Sequence, residues 1–208
     1  MKILYLCTYY HRALIFRDLM DRLKEFGQDV KAFNAVVEGS KIDDKYKKIM
    51  DSKVAHRECF KKWDRFFYFT KQRKFYKALI QTYDLSEFNL IHSHNLFNGG
   101  YAARQAYKEF GIPYVVSIRN TDVNTFLKIP VFKFIANEIV KDAAGIQFLS
   151  IPYRDQFISK YVYKNYKNEV LEKSIVVTNG VEDFWLANEF KAKVLSNDLK
   201  FNLLCVGK

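Results

Sequence analysis

Short apolar runs alternate with stretches of helical periodicity along the whole chain. Lys2–Thr8 is a nearly continuous apolar run that closes in the polar cluster Thr8-Tyr9-Tyr10-His11-Arg12, the pattern of a parallel strand buried on both faces. Ile15, Phe16, Leu19, Met20, Leu23 and Phe26 then recur at helical spacing up to Gly27, a residue suited to the left-handed C-cap position. Val30–Val37 predicts a second strand and Val54–Arg57 a third, with a helix over about Lys62–Tyr83. Leu90–Ser93, Tyr114–Ile118, Gly145–Leu149 and Ser174–Val177 supply four more strands. Helices at Gly100–Phe110, Val131–Asp142 and about Tyr153–Tyr163 separate them. This alternation predicts an α/β fold: a Rossmann-like, doubly wound, mostly parallel sheet with helices on both faces and right-handed crossovers. The run Phe201–Lys208 reads as the first strand of a further domain, so the expected division is 1–200 for the Rossmann-like domain and 201–208 for the start of another.

With 208 residues, 49% of them hydrophobic, such a chain can bury a full core. No apolar run approaches the roughly 20 residues of a membrane span, and the start of the chain lacks the apolar length of a signal peptide, so a cytoplasmic location is expected. Cys7, Cys59 and Cys205 lack metal-ligand spacing and are expected to behave as small hydrophobes, with no metal site. Charge changes the picture more. Lys41–Lys77 holds 13 Lys or Arg against 5 Asp or Glu, which places +8 of the chain's net +11 in one segment. Nine aromatic residues are mixed into it, Trp63, Phe66, Phe67 and Phe69 among them. On a helix those four span much of the circumference, so they cannot all face one core. Basic residues among aromatics suit an anionic membrane surface, with Lys61, Lys62, Trp63, Arg65, Lys71, Arg73 and Lys74 as the expected contacts. They would also suit nucleic acid, or a solvated helix over an aromatic core.

Candidate chemistry concentrates in Leu90–Asn124, which reads strand, polar loop, helix, strand, polar loop. In an open parallel sheet, ligands bind outside the carboxyl ends of the strands, so His92, Ser93, His94, Arg119, Asn120 and Asp122 are expected on one rim. His92 and His94 are expected to point to opposite faces of the strand end, with at most one of them functional. An Arg119 fork suits a phosphate or carboxylate, and Asp122 can accept from ligand hydroxyls; an Arg119–Asp122 ion pair that stiffens the loop is the alternative. Gly99-Gly100 lets the chain turn into the next helix, whose free N–H groups could hold an anion.

The stretch resembles the acceptor-side domain of retaining glycosyltransferase family 4, a GT-B family, whose members carry His-x-His after an apolar strand and Arg-x-x-Asp-Val after the next. Asp142-Ala-Ala-Gly-Ile-Gln-Phe-Leu-Ser150 and Val177-Thr-Asn-Gly-Val-Glu-Asp-Phe-Trp185 are similar to later segments of the same family, in the same order. The resemblance implies a sugar transferase that retains anomeric configuration and needs neither metal nor cofactor. His94, the second histidine of the motif, would be the catalytic group. Asn95, Gly99, Gly100, Arg119, Asn120, Asp122, Asn179 and Gly180 would line the acceptor and substrate side. His11 and Arg12 could meet an anionic acceptor, although the first loop lacks the family's frequent glycine-rich turn. A UDP- or GDP-type nucleotide-sugar would be held by a second domain beyond Lys208. The acceptor would be a sugar or lipid-linked sugar of polysaccharide or glycolipid synthesis, at the inner face of the cytoplasmic membrane, and no nucleic acid is expected. The rival from another class is a binding module that uses Lys41–Lys77 on an anionic surface or nucleic acid and does no chemistry. A flavodoxin-like small-molecule binder ranks last, since no phosphate loop is present.

Overall fold

The computed structural model describes residues 1–10, 14–40, 53–180 and 187. The candidate residues His11 and Arg12, the side chain of Arg65 and the strand expected at 201–208 lie outside the described residues, as does most of the segment 41–53.

Among the described residues seven strands form one sheet: β1 (Lys2–Leu6), β2 (Asp29–Val37), β3 (Val54–Phe60), β4 (Leu90–Ser93), β5 (Tyr114–Ser117), β6 (Gly145–Phe148) and β7 (Ser174–Val176). Every pairing is parallel, in the order β3-β2-β1-β4-β5-β6-β7. The winding reverses between β1 and β4, which makes the space beyond their carboxyl ends the switch point of the sheet. The apolar run of β1 is explained by its two packed faces. Ile3, Tyr5 and Cys7 join Phe16 and Met20 of helix α1 (Leu14–Glu25) on one side, while Leu4 and Leu6 belong to the larger core on the other. That larger core takes in α2 (Tyr68–Thr82), α3 (Gly100–Phe110), α5 (Pro130–Asp142) and α6 (Ile151–Tyr161). The short helices α4 (Asn120–Asn124) and α7 (Lys167–Glu172) are the remaining α-helices among the described residues.

Gly27 takes φ +73 and receives the end of α1 as its sequence predicts, but Phe26 falls outside the apolar stripe and is exposed. Pro130 and Pro152 open α5 and α6, where a missing backbone donor costs nothing. The single helix expected over 62–83 is instead a 3₁₀ turn at Lys62–Phe66 followed by α2, with Phe67 non-helical between them. Asp64 closes that turn: its Oδ2 accepts from the Lys61 N–H at 2.7 Å while its carboxylate holds Lys74. A run of bulky rings, which lose rotamer freedom against a preceding helical turn, favours the break. Helix α4, in the middle of the candidate motif, was expected as loop, because five residues with one apolar side chain give no periodicity.

The helix α3 is held close to the sheet by its first residues. A Cβ on Gly99 would stand 2.5 Å from Ser93 Oγ, and one on Gly100 3.2 Å from Ile139 Cγ2 and 3.3 Å from Val116 Cγ2. Close approach and not an unusual φ therefore favours glycine there, most strongly at Gly99, which differs from the turn role expected from the sequence.

Candidate active site at the switch point

The β4 end and the β5 end each deliver a polar loop to the rim. His94 follows β4 directly and is buried beneath the ring of Phe16, whose centroid lies 4.1 Å from the imidazole. Tyr5, in the middle of the buried β1 run, places its Oη 2.7 Å from His94 Nδ1. From the β5 side, Arg119 donates from Nη2 to the same Nδ1 at 3.0 Å, from Nε to the His94 carbonyl at 3.3 Å, and from Nη1 to Asn179 Oδ1 at 2.8 Å.

A guanidinium can only donate, so Nδ1 carries the lone pair and the His94 proton sits on Nε2. Burial, the Arg119 charge and His92 all push the His94 pKa well below its ordinary value, so the ring is neutral. The arrangement converts His94 from a group able to accept or donate into a fixed Nε2–H donor. Arg119 is itself half-buried, and burial lowers its pKa. Among the described residues no carboxylate forms an ion pair with it.

Asp122 behaves differently from its sequence expectation. Its carboxylate is 1% exposed and accepts from the N–H groups of Arg119 (2.9 Å), Leu96 (3.1 Å) and Phe97 (3.4 Å). It clamps the two rim loops together instead of meeting a sugar hydroxyl or the Arg119 guanidinium. Burial raises its pKa to about 6 against the opposing pull of those three amides. Asn95 also turns inward: its Oδ1 accepts from Gly99 N–H at 3.1 Å and its carbonyl accepts from Gly100 N–H and Ser93 Oγ. Those bonds occupy the first donors of α3, where an anion was expected to bind. Asn120 is exposed, with Oδ1 accepting from Tyr153 Oη at 3.2 Å, and Asn179 and Gly180 are exposed on the loop after β7.

The two histidines do not diverge. Both rings pack on Tyr5, at 5.0 Å for His92 and 5.9 Å for His94, because positions two apart on a strand share a face. They differ in their partners. His92 Nε2 bonds Ser117 Oγ at 2.9 Å, which in turn donates to Gln147 Oε1 at 2.8 Å, a polar line across β4, β5 and β6. Burial lowers the His92 pKa to about 4, so it too is neutral, held within the sheet and away from the rim.

The structure therefore gathers His94, Arg119 and Asn179, with Asp122 and Asn95 bracing the loops beneath them. Sequence reading missed Tyr5, Phe16 and Tyr153. The signal available for Tyr5 was a hydroxyl in a strand buried on both faces, which must find a partner. Thr8 Oγ1, just beyond β1 on the same rim, is buried without a partner among the described residues. No group of three or more His, Cys, Asp or Glu with metal-binding potential occurs among the described residues. No helix among them is long and apolar enough to cross a membrane.

An all-parallel seven-stranded sheet in this order, with polar groups at its switch point, defines a Rossmann-like, doubly wound α/β fold. Solved structures agree. The chain resembles Anabaena Alr3699/HepE in complex with UDP and glucose, at TM-score 0.59 and 14% identity over 88% of this chain and 45% of that one. It resembles UDP-GlcNAc 2-epimerase from Neisseria meningitidis bound to UDP-GlcNAc at TM-score 0.55 and 12% identity, over 86% of this chain and 47% of that one. Arabidopsis thaliana UGT89C1 complexed with UDP-L-rhamnose matches at TM-score 0.53 and 11% identity, over 86% and 49%. At such identities the likeness is one of fold, and the chain spans less than half the length of each of these proteins. No family model matches the sequence, and no curated protein does.

Proposed function

We propose that this chain is the acceptor-side half of a glycosyltransferase, with the nucleotide-sugar donor, of UDP or GDP type, held by a second domain across the switch-point rim. The observation that carries the reading is the pairing of a half-buried guanidinium that has no described carboxylate partner with an imidazole locked as a neutral donor. Arg119 supplies positive charge where a phosphate of a donor or of a lipid-linked acceptor would lie. The His94 Nε2–H supplies a hydrogen bond to a sugar hydroxyl near the reacting carbon. In the reaction the acceptor oxygen bonds to the anomeric carbon as the bond from that carbon to the diphosphate oxygen breaks. The hydroxyl proton leaves with the diphosphate. We take the transfer to retain configuration and to need no metal, as the motif resemblance implies. The nucleotide-sugars present in the similar folds support the donor class.

The test is to incubate the whole protein, including its donor-binding domain, with UDP-, GDP- and dTDP-sugars and candidate acceptors. Release of nucleoside diphosphate and the anomeric configuration of the product are then followed. Turnover that survives a chelator and gives a retained product is the expected result. Silence toward every donor with the fold intact would overturn the reading, an inverted product would overturn retention, and an epimerised nucleotide-sugar would move the protein to epimerase chemistry.

A further inference from the structure

The second region that breaks the ordinary inside-outside pattern lies on the other face of the sheet, at the same rim. Trp63, Phe66, Phe67 and Phe69 are 75%, 65%, 66% and 50% exposed. The core face of α2 is supplied instead by Gln72, Phe75 and Leu79, with Tyr68 half-buried against Phe97 and Phe132, while these four rings are left largely outside. A second set of apolar residues stands at the start of α5, where Ile129, Val131 and Phe134 are each more than half exposed. The two sets meet: Phe69 and Phe134 line one cavity of about 170 Å³, together with Tyr101 and Ile135. Both helices begin at the carboxyl end of the sheet, as crossover helices of a parallel sheet must, so this patch borders the rim that carries His94.

The exposed charged side chains in these segments are basic. Lys61, Lys62, Arg73 and Lys128 are exposed there. The nearby acids are committed, Asp64 to Lys74 at 2.7 Å and Glu138 to Arg104 at 2.5 Å. Two of the cations expected from the sequence to face a surface are also withdrawn: Lys74 by Asp64, and Lys71 by Asn98 Oδ1 at 2.9 Å and the ring of Phe60.

We infer that the patch formed by Trp63–Phe69 and Ile129–Phe134 docks the protein on an anionic lipid bilayer, with the rings and aliphatic side chains at headgroup depth and the lysines on acidic lipid. Large contiguous apolar exposure on a soluble domain marks an interaction surface. Charge complementarity selects the occupant. A second copy would set this basic rim against itself, and single-stranded nucleic acid would use the rings as stacking platforms but has no use for Ile129 and Val131. Docking is also mechanically tied to the site. The α2 side chains Tyr68 and Gln72 both donate to the Phe97 carbonyl, at 3.0 and 2.8 Å, in the loop that begins with His94. Seating α2 on a bilayer would therefore present the His94–Gly99 loop to a lipid-linked acceptor, a deepening that rests on the transferase reading, whereas docking itself does not.

Flotation of the protein with phosphatidylcholine vesicles, with and without phosphatidylglycerol, tests it without any sugar donor, so failure here is distinct from failure of transfer. The wild type is expected to float only with the anionic vesicles. Lys61→Gln with Lys62→Gln should weaken that binding on the order of thirtyfold, at roughly 1 kcal/mol for each charge. Trp63→Ser with Phe66→Ser and Phe67→Ser should abolish it, and Val131→Ser with Phe134→Ser should weaken it, all with unchanged circular dichroism. No flotation at low salt overturns the proposal, as does binding that is indifferent to either set. Salt-sensitive binding of single-stranded RNA without vesicle binding overturns it in favour of nucleic acid. A dimer in sedimentation that the aromatic substitutions dissolve overturns it in favour of self-association.

Discussion

The His94–Arg119 cluster and the Trp63–Phe69 surface sit at one rim of the sheet and depart from the usual partition of residues in opposite directions. At the first, polar groups have been drawn inside and satisfy one another: Tyr5 and Arg119 on His94, three backbone amides on Asp122, Gly99 on Asn95. At the second, apolar groups have been left outside, with the nearby acids neutralised by lysine and arginine. A buried polar network is costly unless complete, so removing a member is expected to cost stability as well as any chemistry it supports. An exposed ring adds almost nothing to the folded state and can change freely unless something outside the chain contacts it. The same substitution scan should therefore give large effects at one region and none at the other.

The largest effect is expected at His94. Replacing it with Ala in the assembled enzyme should lower turnover on the order of 10²–10⁴, the range for a positioned polar or acid–base group. Near-normal turnover would reduce His94 to a loop strut. Asp122→Ala follows, since it leaves three buried N–H groups without an acceptor and should destabilise the fold by about 3 kcal/mol in chemical denaturation. A loss below about 0.5 kcal/mol would mean that the rim loops hold without this clamp.

Acidity offers a subtler probe, because the buried groups of the cluster work with opposite signs. His92 is depressed from 6.5 to about 4, so its contribution is present above 6.5 and lost as pH falls through about 4, and His94 has the same sign. Asp122 is raised to about 6, so its contribution is present below the ordinary carboxylate value and lost as pH rises through about 6. Two imidazoles against one carboxylate leave stability falling as pH drops from 6.5 to about 4. His92→Gln should flatten that slope by roughly 2 kcal/mol over the interval. Denaturant midpoints measured across it that keep the wild-type slope would exclude a His92 held neutral by the fold.

The smallest effect is expected from Trp63→Ser with Phe66→Ser and Phe67→Ser, within about 0.5 kcal/mol of wild-type stability, as for largely exposed positions. A loss of several times that would show the rings to be part of the fold and would erase the contrast between the two regions.

Periodicity alone was enough for the order of strands and most helices, for the parallel sheet, and for the convergence of β4 and β5 ends on one rim, because apolar runs of four to eight residues between helical stretches admit few topologies. The exposure of Trp63, Phe66, Phe67 and Phe69 agrees with the expectation that they could not share one core, but that expectation assumed a single helix, and the chain instead breaks at Phe67. Side-chain direction and partnership were not legible. Tyr5 reads as one more apolar position in β1 until the sheet sets it beside His94, and Asp122 reads as a ligand group until the 94–99 loop folds its amides onto it. Lys71 and Lys74 read as surface cations until Asn98 and Asp64 take them. Local sequence settles which backbone conformation each segment prefers, within a few residues. Whether a polar group is spent on its neighbours or kept for a ligand depends on atoms brought together across 25 to 89 positions of chain, and only packing decides that.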